Sequence, residues 1–167
     1  MISGLYSIEI QRFVYNDLMI TKNELETYLK EAMRSGDDVR KRTLRMILSA
    51  IKLAEIDKGQ TLDETGIAAI LQKEIKSRRE AIADAQRANR PNLVTATEAE
   101  ITVIEGFLPV ALPSDELEKL AKQVITELGA TSLKDMGQVM KTLLPRLKGR
   151  AAGDQVSAVV RKVLSGQ

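Results

Sequence analysis

The side chains able to do chemistry in this sequence are concentrated in cations set around two glycines near its C-terminal end. Residues 131–167 hold seven of the 25 basic residues (Lys134, Lys141, Arg146, Lys148, Arg150, Arg161, Lys162) but two of the 23 acids, Asp135 and Asp154. Seven less two leaves about +5 there, and the other eighteen cations and twenty-one acids leave about −3 on residues 1–130, so the net +2 conceals a polarised chain. A basic end of this kind suits a polyanion. Lys148 and Arg150 flank Gly149, and Gly153 follows shortly after. Cations beside a glycine turn can approach a phosphate backbone closely, released counterions supplying the affinity. Gly149 and Gly153 can also offer backbone amides to a phosphate ahead of a helix. The plainer alternative is a solvated helix end, its cations favoured by the helix dipole and its glycines serving as C-cap and turn. There is no GxxxxGK[ST] stretch, so an ATP-binding loop is not supported.

A second basic group comprises Lys73, Lys76, Arg78, Arg79, Arg87 and Arg90, opposed by Glu74, Glu80 and Asp84. Lys76, Arg78, Arg79, Arg87 and Arg90 are secondary candidates for RNA contact. The competing reading is a mixed-charge helix face bonded at spacings of three and four. Glu98, Glu100 and Glu105 scatter in helical angle, with nothing to orient them as an acid–base pair or metal cluster. The chain has no Cys and no His, which excludes disulfides, thiolate and imidazole catalysis and the usual zinc sites. No catalytic residue, metal or cofactor is expected. Aromatics make up 3% of the chain, too few for stacked bases to dominate, so contact with phosphate and shape is expected. No apolar run is long enough for a bilayer and no export signal is apparent, so the reading is no membrane partner and a cytoplasmic address.

These candidates must be carried by helices. Residues 1–18 are apolar but irregular and read as a disordered N-terminal extension. Thr21 to Glu24 is a capping box that starts a helix ending at Gly36, and Asp37 with Asp38 opens a second that runs to Lys58-Gly59. Thr61 to Glu64 repeats the box ahead of a third, running to about Asn89, and Pro91 suits the first turn of a fourth. Met33 and Met46 fall on apolar stripes, as do Met136 and Met140 further on, where methionine fills cores. Two prolines in 109–113 make a linker. Beyond it Ser114 caps a helix closed by Gly129. Ser132 with Asp135 starts another, in which Pro145 should kink the last turn and Gly137 permit close packing, and Asp154 caps the last. No strand-period segment competes after residue 20. The fold class is all-α: an N-terminal helical domain of about four helices over 19–108, a linker at 109–113, and a small C-terminal three-helix domain over 114–167.

Several of these stretches resemble the GatB/YqeY family: Leu44-Arg45-Met46, the run from Gln72 to Ala81, Phe107-Leu108-Pro109, Asp135 to Met140, and Lys148-Gly149-Arg150-Ala151-Ala152-Gly153. The resemblance covers about residues 20–167. Phe107 and Ala152 stand where the family usually carries Tyr and an acid. The resemblance implies a stand-alone YqeY-like protein, similar to the tail domain of the B subunit of the glutamine-dependent aminoacyl-tRNA amidotransferase, where such units help to hold tRNA. It also implies the family label of a carbon–nitrogen ligase with glutamine as amido-N-donor. The residues needed for that chemistry are not recognisable here: no kinase-like part, no Gly-rich Ser/Lys amidase segment, no Cys nucleophile. The expectation is a tRNA-binding accessory protein, non-catalytic on its own, that contacts RNA through Lys141, Arg146, Lys148, Gly149, Arg150, Gly153, Arg161 and Lys162. The alternative is a protein-interaction module that docks an amidotransferase or an aminoacyl-tRNA synthetase.

Overall fold

Residues 19–166 are described in a computed structural model, and the extension expected over 1–18 lies outside them. Among the described residues there are seven α-helices and no strand. The Thr21 box forms as expected: the Thr21 amide donates to the Glu24 carboxylate at 2.8 Å and the Glu24 amide to Thr21 Oγ1 at 3.3 Å. It starts α1 (Lys22–Ser35), which Gly36 ends at φ 73°. Asp37 caps α2 (Asp38–Lys58) by accepting from the Arg40 amide at 2.9 Å, and Gly59 closes it in the left-handed region. The cap of α3 (Glu64–Arg87) is Asp63, not Thr61. Its carboxylate accepts from the Gly66 amide at 2.7 Å, while the Leu62 amide is already taken by Glu55 of α2. Pro91 opens α4 (Pro91–Glu105).

Past the linker, α5 spans Ser114–Leu128. Ser114 is its first residue and not its cap: the Pro113 carbonyl accepts from Leu117, and Asp115 and Glu116 face the positive end of the dipole. A short 3-10 turn (Leu133–Asp135) leads into α6 (Met136–Leu147), which runs on through Pro145 to Leu147. The Asp135 carboxylate gathers the Thr131 amide, the Ser132 amide and the Ser132 hydroxyl at 3.0–3.1 Å, and these hold it below the usual carboxylate range. The last helix, α7 (Gly153–Leu164), has Ala152 at the cap position, with Asp154 inside the first turn.

The buried apolar side chains form two clusters. Leu25, Leu44, Ile47, Ile51, Leu71 and Ile104 lead the first, between α1 and α4; Phe107 closes it and meets the Tyr28 ring at 5.4 Å. Leu117, Val124, Val139, Leu143, Val156 and Val160 lead the second, within α5, α6 and α7. Met136 and Met140 pack against that second cluster. Met33 and Met46, expected inside, are instead exposed, because the 3.6-residue stripe of each helix is wider than the face its neighbours cover. Gly137 also departs from expectation: a side chain there would meet open space, and its place in α6 has no packing reason.

Helices pack broadly within each group, α1 on α2 and α3 on α4 in one, α5 and α6 on α7 in the other, and not between groups. What joins the two groups is a seam made by the linker and the α6–α7 loop.

Candidate nucleic-acid interface

The α6–α7 loop is built by two consecutive residues in the left-handed region, Lys148 at φ 46° and Gly149 at φ 73°. A Cβ on Gly149 would sit 2.7 Å from the Cβ of Ala68 on α3. That separation is closer than non-bonded carbons tolerate, so the loop meets α3 at a distance only glycine permits. The Gly149 carbonyl accepts from Gln72 Nε2 at 2.7 Å. One residue on, the Arg150 carbonyl accepts from the Leu112 amide at 2.8 Å, and Arg150 Nε donates to the Val110 carbonyl at 3.2 Å. Lys76 meets Asp154 at 3.2 Å. Gly149 is therefore a close-approach residue as well as a turn. Gly153, the first residue of α7, has open space beside it.

Between α3, the linker and this loop lies an open cleft of about 780 Å³. Its floor is apolar, from Ile75, Leu108, Pro109, Val110 and Ala151; its rim carries Lys73, Lys76, Arg79 and Arg150, against Glu105 and Asp154. Arg79 pairs with Glu105 at 3.1 Å across exposed surface. Donation from Lys76 holds the Asp154 carboxyl below the usual range, the Gln155 amide adding to the effect and burial opposing it. Exposed pairs of this kind are worth about 0–1 kcal/mol, so a phosphate can exchange with either carboxylate at little cost. Lys73, Lys76 and Arg79 from one basic group and Arg150 from the other thus line one cleft, with Gly149 and Gly153 beside Arg150.

The remaining candidates are dispersed. Arg146 pairs with Glu127 at 2.7 Å, and Lys162 with Glu118 at 3.4 Å. Lys122 and Lys162 together hold the Glu118 carboxyl below its usual range. Lys141, Lys148 and Arg161 are exposed and make no ion pair among the described residues. Arg78 departs most from the sequence expectation of a surface contact. It is 5% exposed, its Nη1 bonded to Glu74 at 2.6 Å and its Nε to Glu100 at 3.0 Å, with Arg42 holding the other Glu100 oxygen. Burial with its donors consumed makes it a structural ion, not an RNA ligand. Arg87 pairs with Asp84 near the end of α3, and Arg90 sits exposed ahead of α4; neither lines the cleft.

Sequence reasoning missed Ala68 of α3 and named Gln72 only as the start of the family-like run, without this role. Nothing local marks them, since the partner of Gln72 lies 77 residues away. No group of His, Cys, Asp or Glu among the described residues has the arrangement of a metal site, and no described helix is long and apolar enough to cross a membrane.

Comparison with known proteins places this geometry in a family context. The family model described as "Yqey-like protein" matches residues 22–164. Curated relatives carry the name "Altered inheritance of mitochondria protein 41, mitochondrial". That of Lachancea thermotolerans is 39% identical over 62% of this chain and 57% of its own length. That of Vanderwaltozyma polyspora is 34% identical over 67% and 64%. That of Kluyveromyces lactis is 34% identical over 83% and 81%. The chain thus spans less than two thirds of the length of the first two. The names overturn the cytoplasmic address expected from the sequence, since these relatives are mitochondrial proteins. Lack of a membrane span or an export signal is common to every aqueous compartment, so composition could not separate cytoplasm from organelle interior.

Proposed function

This chain belongs to the Yqey-like protein family, and on that premise we propose that it is an RNA-binding accessory protein that grips the phosphate backbone of tRNA at the seam between its two helical groups. The choice of tRNA follows from the resemblance to the amidotransferase tail, and any part in amide formation is that of a holder. The observation that carries the reading is the cleft. Three cations of α3, Lys73, Lys76 and Arg79, and one of the α6–α7 loop, Arg150, more than seventy residues away in sequence, line a single gap. Lys148, next in sequence to the cleft-lining Gly149, is exposed and makes no ion pair among the described residues.

Two alanine pairs test the assignment, one on each wall: Lys73→Ala with Arg79→Ala, and Lys148→Ala with Arg150→Ala. Each is expected to weaken filter binding of bulk tRNA about tenfold or more at low salt and to flatten the salt dependence by about one to two phosphate contacts. Unchanged affinity and slope in both pairs would refute the site.

A specific feature favours a second reading, docking of a protein such as an amidotransferase or a synthetase on the N-terminal group. Leu53 and Ile56 on α2 are 61% and 66% exposed and share a helical face with exposed Met46. Co-purification of such a partner after nuclease treatment, abolished by Leu53→Glu, is the outcome that reading requires.

A further inference from the structure

We propose that the Ala68–Gly149 contact is the positioning element of the cleft: it locks the α6–α7 loop onto α3 at the one spacing that sets Arg150 opposite Lys73, Lys76 and Arg79. This rests on the RNA reading above. The argument begins with how little else joins the two helical groups. Their helices do not pack broadly on one another, so the relation between the two charged walls is decided by the loop. The loop is fixed at three successive points: the Cβ-free approach of Gly149 to Ala68, the Gln72 bond to the Gly149 carbonyl, and the bond from the Leu112 amide to the Arg150 carbonyl. Pro109 and Met19 lie 3.9 Å from the same Gly149 position, ordinary contact distance, so the Ala68 methyl alone sets the limit of approach. A methyl group added at Gly149 would push the loop off α3 and carry Arg150 away from the opposite wall. Ala68 is 2% exposed and the Ala68 methyl is what that group would strike. Deleting that methyl therefore reopens the space. Gln72 acts through the carbonyl it holds and is a positioning residue in the same sense.

The test is a cycle of Gly149→Ala, Ala68→Gly and the double variant, with Gln72→Ala alongside. Each protein is measured for tRNA affinity at two salt concentrations, for helical content and for thermal unfolding. Gly149→Ala is expected to keep its helical content while binding tRNA about tenfold more weakly with a shallower salt slope. The double variant regains part of the affinity and slope, the remaining deficit reflecting an alanine held at positive φ. Gln72→Ala weakens binding about threefold, and it carries the test if Gly149→Ala does not fold. Wild-type affinity and slope in Gly149→Ala, or a double variant no better than Gly149→Ala, would overturn the positioning role while leaving the RNA reading intact. Wild-type protein that binds no tRNA at low salt sinks the RNA reading itself.

Discussion

The two helical groups differ in whether their packing encloses a charge. Between α1 and α4 one ion is turned inward: Arg78 is buried between Glu74 and Glu100, while Arg42 on the other Glu100 oxygen and Lys22 on Glu55 at 2.6 Å reach in from the surface. Between α5 and α7 the buried set is Leu, Val and Ala, and every cation lies at or near the surface. A buried ion that loses its partners leaves uncompensated charge in a low dielectric, whereas an exposed one is merely rehydrated. A buried ion thus helps to fix packing in the first group and none does in the second, where Arg146 and Lys162 sit in exposed pairs and Lys141, Lys148 and Arg161 in none among the described residues.

The largest expected effect comes from the inward ion. Arg78→Ala should destabilise the protein by about 3 kcal/mol in urea unfolding, since Glu74 loses its guanidinium partner and Glu100 keeps only Arg42. A loss below about 1 kcal/mol would mean that water reaches the network and the contrast is false. Next comes the apolar core of the second group. Leu143 is fully buried, and Leu143→Ala should cost about 2–4 kcal/mol by lost transfer energy and a residual cavity. Because no buried ion depends on it, that loss should be insensitive to pH near neutrality, which urea titrations at two pH values would check.

A sharper probe sets stability against binding at one residue. Ala152 holds the cap position of α7 in extended backbone (φ −73°, ψ 144°) without a side-chain acceptor, and it lines the cleft. Ala152→Asp supplies the acid usual at this place in the family. It should raise stability by about 1 kcal/mol through a cap bond to α7 and weaken tRNA binding several-fold by adding an anion beside the phosphate seat. Binding that improves would contradict the placement of RNA at the seam. The smallest effect concerns Asp135. Its folded-state pKa is depressed, so its contribution is fully present above the unfolded value near 4 and is lost as pH falls through the folded value. The difference in melting temperature between wild type and Asp135→Ala should therefore be constant above about pH 5 and close on acidification below about pH 4.

Local signals were legible wherever the physics is local. The Thr21–Glu24 box, the glycine stops at 36, 59 and 129, Pro91 at the start of α4 and the all-α class all follow from neighbours within a turn. The errors of cap placement are shifts of one or two residues between neighbouring candidates, whereas the misread charge crosses elements. Thr61 lost the start of α3 to Asp63, whose carboxylate accepts from the Gly66 amide. Pro113 displaced Ser114 because its carbonyl begins the hydrogen-bond ladder. Arg78 looked like its exposed neighbour Arg79 because the acid that buries it, Glu100, is on α4. The seam was illegible for the same reason. Gly149 reads as a turn glycine in sequence, and only the approach of Ala68 shows why no side chain can stand there.

The most direct test of the central claim is the salt dependence of tRNA binding by the unaltered protein. If the seam and its edge neutralise roughly three to five phosphates, log K should fall against log salt with a slope of about −2 to −4. A slope indistinguishable from zero, or affinity for tRNA no greater than for a neutral polymer, would contradict the assignment of this cleft to a nucleic-acid backbone.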